Sequence, residues 1–177
     1  MTDKKTHTEQ SIIGVLERKY RDNSKYYLSN VYVFKHNWES DFFIVRQNGY
    51  CIEFEIKISR TDFFNDKKKV DKHLILETGK SIRYNIQEQH DFKPNKFYYV
   101  VPDNLITVDE IPKYAGLLYI DSFNQIITLK EAPFLHKNKL NFNDKFVNKF
   151  YYYFQDFKQK FRNAEKRIKY LEDKYLK

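Results

Sequence analysis

Apolar positions recur along this chain with two periods, and the change of period marks the elements. Across residues 8–20, Ile12, Val15, Leu16 and Lys19 share one broad face, which predicts an amphipathic helix. Thr8 is placed to cap it, with Glu9 in the first turn. Residues 30–35, rich in strand formers, predict a strand, and Asp41-Phe-Phe-Ile-Val-Arg46 predicts another. Gln47-Asn48-Gly49 is a hairpin turn, since Asn-Gly tolerates the positive φ that tight turns require. From Tyr50 to Ser59 the period is strictly two. Ile52, Phe54, Ile56 and Ile58 point one way, and Glu53, Glu55, Lys57 and Ser59 point the other. The hairpin's second strand therefore carries a polar row over an apolar base.

Helical spacing returns over residues 61–78, with Thr61 as cap and Phe63, Val70 and Leu74 on one face. Asp62, Asp66, Lys69 and His73 form a neighbouring stripe. Phe97–Val101 reads as a buried strand, and Gly116–Asp121 and Ile126–Lys130 as two more. A long helix over 143–176 carries Phe146, Phe150, Phe154, Phe157, Phe161, Ala164, Ile168, Leu171 and Tyr175 as a seam stepping by threes and fours. The order predicts an α/β or α+β fold, a mixed sheet flanked by helices. The domain is expected over residues 1–140. The long helix, 141–177, is expected to pack on it or to pair with a partner as a homodimer.

Charge adds a partner class. Lys and Arg number 32 against 24 Asp and Glu, a formal charge of +8, which favours a polyanion such as nucleic acid. One cysteine, Cys51, excludes an intrachain disulfide and a cysteine-based zinc site, and reads as an intracellular, cytoplasmic protein. No apolar run reaches the ~20 residues that span a bilayer, and residues 1–10 lack the apolar stretch of a signal peptide, so no membrane partner is expected. His7, His36, His90 and His136 are scattered without zinc-ligand spacing.

The hairpin supplies the chemistry. Across it, Asp41 falls beside Glu55 and Lys57. Two carboxylates hold a hard cation such as Mg²⁺, which activates water against a phosphodiester, while a lysine orients that water or offsets charge in the transition state. Asp41 followed by Glu55-Ile-Lys57 resembles the signature of the PD-(D/E)xK nuclease superfamily, and the element order resembles its restriction-endonuclease-like αβββαβ core. The longer string from Glu53 through Ser59-Arg60-Thr61-Asp62-Phe63 to Lys72-His73, with Phe97–Pro102 and Ile111–Tyr119, looks most like MmcB-like DNA-repair proteins and related phage proteins. Ser40 stands where the motif's name has proline.

The resemblance implies an Mg²⁺- or Mn²⁺-dependent nuclease acting on DNA rather than RNA, in repair or phage nucleic-acid processing. It implies Asp41, Glu55 and the Ile56 carbonyl as metal ligands, Lys57 as the catalytic cation, and Glu9 (or Glu17) as an assisting acid on the first helix. Arg60, Lys67, Lys68, Lys69 and His73 are candidate nucleic-acid contacts, and Glu53, Ser59 and Asp62 candidate accessories. The rival reading is a nucleic-acid-binding module on the same fold with little or no catalysis.

Overall fold

A computed structural model describes residues 7–34, 38–85, 93–139 and 144–175. The elements are α1 (Glu9–Tyr20), β1 (Ser24–Val31), β2 (Ser40–Arg46), β3 (Cys51–Ile56), α2 (Arg60–Asp66), α3 (Val70–Thr78), β4 (Lys96–Pro102), β5 (Ala115–Ile120), β6 (Ile126–Lys130) and α4 (Asp144–Tyr175). The chain divides into two compact units, Met1–Leu140 and Asn141–Lys177.

In the first unit six strands form one mixed sheet in the order β1-β2-β3-β4-β5-β6. Pairing is antiparallel from β1 to β3, parallel from β3 to β5, and antiparallel again between β5 and β6. Each face of the sheet is covered. Ile12, Ile13, Val15 and Leu16 of α1 pack with Phe42, Ile44, Phe54, Ile56 and Val100. On the other face, Phe63 of α2 and Leu76 of α3 pack with Phe97, Tyr99, Val101 and Leu117. Parallel pairing of β3 and β4 demands a crossover, and α2 and α3 supply it, so β3 is buried on both faces. Thr8 caps α1 as expected: its hydroxyl accepts from the Ser11 N–H, and the Ser11 hydroxyl accepts from the Thr8 N–H.

Three expectations change. The first β-strand spans Ser24–Val31 rather than 30–35. It is an edge strand with no clean alternation of burial, and Asn30 sits near its end at φ 51°, so periodicity does not reveal it. The single helix expected over 61–78 is two helices. The chain breaks at Lys67–Lys69, where Lys69 leaves helical geometry at φ −78°, ψ 66°. Ser59, not Thr61, caps α2, its hydroxyl accepting from the Asp62 N–H. The polar row on β3 is covered by α2 and α3, and Glu53 and Glu55 are 0% and 1% exposed.

In the second unit α4 is one helix of 32 residues. Phe154, Phe157, Phe161, Ile168, Leu171 and Tyr175 along it are all exposed. No helix among the described residues is long and apolar enough to cross a membrane.

Candidate active site: a buried carboxylate–lysine network

Glu53 and Glu55 project from β3 toward α2 and α3, and Lys57 continues the row just beyond the strand's carboxyl end. In sheets with parallel strands, ligands bind beyond such ends. Asp41, the second residue of β2, reaches across to this end, and its Oδ2 accepts the Ile56 N–H at 2.7 Å. The structure thus brings together Asp41, Glu55 and Lys57. Lys57 Nζ lies 2.8 Å from Glu55 Oε1 and 3.8 Å from Asp62 Oδ1.

Two residues of the crossover complete the network. Asp66, at the end of α2, is fully buried; Lys72, on α3, is 3% exposed. Lys72 Nζ stands 2.7 Å from Glu55 Oε2, off hydrogen-bonding direction, and donates to Asp66 Oδ1 at 3.1 Å. Lys69 Nζ lies 2.9 Å from Asp66 Oδ1 and 3.6 Å from Glu55 Oε1. The Tyr99 hydroxyl donates to Asp66 Oδ2 at 2.8 Å. On a straight helix, residues six apart point roughly 120° away from each other. The break at Lys67–Lys69 is what lets Asp66 and Lys72 meet.

Charge balance orders the protonation states. Taking a carboxylate out of water costs several kcal/mol unless a cation is at hand. Four buried carboxyls (Asp41, Glu53, Glu55 and Asp66), with Asp62 at the rim, face three ammonium groups (Lys57, Lys69 and Lys72). Burial opposes ionisation of Asp66, but Lys72, then Lys57 and Lys69, outweigh it and hold Asp66 well below the usual carboxylate range. Burial also works against the Lys57 and Lys72 ammoniums, and the carboxylates around them prevail, so both stay cationic above the ordinary lysine range. The deficit falls on the other two. Burial, then Glu55, raises Asp41 to about 7 against the pull of Lys57 and the Ile56 N–H, with Glu9 adding to the rise. Burial raises Glu53 to about 7, against Lys72. Trp38 Nε1 donates to Glu53 Oε1 at 2.9 Å, while Oε2 is buried without a hydrogen-bond partner.

The other expected residues fall in different places. Glu9 is exposed in the first turn of α1, close enough for its charge to act on Asp41. Arg60 is ion-paired to Glu110 and donates to the Leu105 carbonyl. Lys67 donates to the Glu110 carbonyl and Lys68 to Asn65 Oδ1. His73 bridges the Tyr114 hydroxyl and the Asp66 carbonyl, a brace between the crossover and the loop before β5. A cleft of about 260 Å³ lined by Trp38, Lys69, Val70, Asp71, Lys72, Arg83 and Tyr84 adjoins the network.

Sequence reasoning did not single out Lys72 as a site residue. Its signal was present: with Ile75 and Leu76 it occupies the buried face of α3, a charged residue where the helix faces the core. Trp38, the only tryptophan, was equally readable as a partner for a buried acid.

No protein-family model and no curated protein matches this sequence. Among solved structures, the chain is similar to a protein of unknown function from Silicibacter pomeroyi, with TM-score 0.56 and 18% identity, covering 86% of this chain and 90% of that one. The likeness is one of fold.

Proposed function

We propose that this protein is an Mg²⁺- or Mn²⁺-dependent phosphodiesterase acting on DNA. The observation that carries this reading is the convergence of Asp41, Glu55 and Lys57 at the carboxyl end of β3, with Asp41 raised to about 7. Burial is the first cause of that rise and the charge of Glu55 the second, and a divalent cation beside Asp41 and Glu55 would offset both. Among the described residues no group of three or more His, Cys, Asp or Glu is gathered to hold a metal. A cation held by Asp41 and Glu55 alone would keep water and take substrate oxygens, the habit of Mg²⁺. Such a cation would supply an activated water and polarise the phosphoryl group.

The side chains have separable tasks. Asp41 and Glu55 hold negative charge toward the cation. Lys57, cationic at every working pH, serves by electrostatics at the developing phosphoryl charge and not as a base. Arg83 with Trp38 and Tyr84 gives the adjoining cleft, beside Asp71 and the paired Lys69 and Lys72, a cation and two aromatic rings of the kind that suit a nucleic-acid strand. Cys51, buried and free, suits a reducing, cytoplasmic compartment.

One observation favours a second reading. Both Glu55 oxygens already face ammonium groups, Lys57 and Lys72. A protein with this network and no bound cation would be a DNA-binding module without hydrolysis. Incubation with labelled single-stranded, duplex and branched DNA and RNA, with and without Mg²⁺ or Mn²⁺, separates the two. Metal-dependent cleavage of DNA supports the enzyme; retention of DNA with no cleavage under any metal supports the module.

A further inference from the structure

We propose that α4 pairs with α4 of a second copy of this chain as a parallel, in-register, two-stranded coiled coil. This inference is independent of the catalytic reading. From Phe150 to Tyr175 the apolar seam follows a strict heptad. Phe154, Phe161, Ile168 and Tyr175 occupy the a positions, and Phe150, Phe157, Ala164 and Leu171 the d positions. The repeat runs close to four heptads, long enough for a coiled coil. It is the 3.5-residue period, which holds a seam against a partner helix. Phe154, Phe157, Phe161 and Ile168 are each more than half exposed. The opposite side of the helix is polar, carrying Asp156, Gln159, Arg162, Lys166 and Asp173.

Charge flanking the seam selects the occupant and its direction. After Tyr153 the g positions are Lys160, Arg167 and Lys174, all basic, and the last two e positions are Glu165 and Glu172. In a parallel pair, a g residue meets the e residue five positions later on the partner. Lys160 then meets the partner's Glu165, Arg167 meets the partner's Glu172, and twofold symmetry repeats both pairs. In an antiparallel pair g faces g, which sets Lys160, Arg167 and Lys174 against like charge. Lys160 also bridges Asp156 of its own helix, one turn back, at 2.8 Å, so in the pair its ammonium would be shared between Asp156 and Glu165 of the second copy.

Light scattering of the full-length protein tests the pairing, with twice 21.7 kDa expected at micromolar concentration. Glu165→Lys with Glu172→Lys should weaken self-association roughly tenfold or more, because two attractive pairs on each side become repulsive. Lys160→Glu with Arg167→Glu should do the same. An equimolar mixture of the two variants should regain the dimer mass, so loss through misfolding is distinguishable from loss of pairing. Leu171→Cys, at a d position, should cross-link to its own copy under mild oxidation. A monomeric wild type, a dimer indifferent to both charge reversals, or a Leu171→Cys protein that stays uncross-linked would each overturn the proposal.

Discussion

At the residue scale, the site is defined by buried carboxyls with too few cations to offset their burial. Asp41 and Glu53 carry the shortage, and each gives it a measurable sign. A carboxyl whose folded pKa lies above its unfolded value binds more protons when folded, so stability is full below the unfolded pKa and falls as pH rises to the folded one. For Glu53 the window runs from 4.5 to about 7. The loss amounts to on the order of 3 kcal/mol for a group this deeply buried. Glu53→Gln should flatten the stability–pH curve across that window and raise stability at pH 8, as read by chemical denaturation; an unchanged curve would mean Glu53 ionises freely. Asp41 predicts a metal effect. Because it must lose its proton to meet a cation, the rise in melting temperature with Mn²⁺ should be small at pH 6 and larger at pH 8. Asp41→Asn should abolish the rise at both values. Asp66 has the opposite character: it is ionised and balances Lys72, so Asp66→Asn should destabilise by roughly 3 kcal/mol or more.

At the element scale, the hairpin was legible and the crossover was not. Period-two alternation at Glu53, Glu55 and Lys57 identified which residues share a face, and Asn48-Gly49 fixed the turn that sets Asp41 opposite them. Alternation says nothing about what covers a face. That came from the parallel pairing of β3 with β4, which joins residues more than 40 positions apart. The break between α2 and α3 was hidden because Lys67, Lys68 and Lys69 are all good helix formers. Only the tertiary demand for Asp66 and Lys72 to meet reveals it. A second long-range demand sits at Gly116 on β5. A Cβ there would press into the Tyr98 ring and lie 2.7 Å from the Ala132 nitrogen. The ring can yield more readily than the backbone, so Gly116→Ala should cost about 1–3 kcal/mol in thermal or denaturant unfolding. An unchanged stability would show that the stretch after β6 moves aside.

At the scale of the whole molecule, a formal charge of +8 coexists with a site whose lysines are already committed to carboxylates. DNA affinity should therefore draw on lysines outside the network. Lys67→Gln with Lys68→Gln should reduce the log–log salt slope by up to about 0.7–0.9 for each phosphate no longer neutralised. Lys69 belongs to the network, so its replacement should disturb stability as well as binding. If Asp41, Glu55 and Lys57 form a hydrolytic centre, removing one carboxylate must remove turnover. The decisive measurement is cleavage of labelled DNA in Mn²⁺ by the wild type and by Glu55→Gln, at matched folding. The wild type should cleave, chelator should stop it, and Glu55→Gln should be inactive. Equal cleavage by both proteins, or none by the wild type with any substrate, would contradict a hydrolytic role for this site.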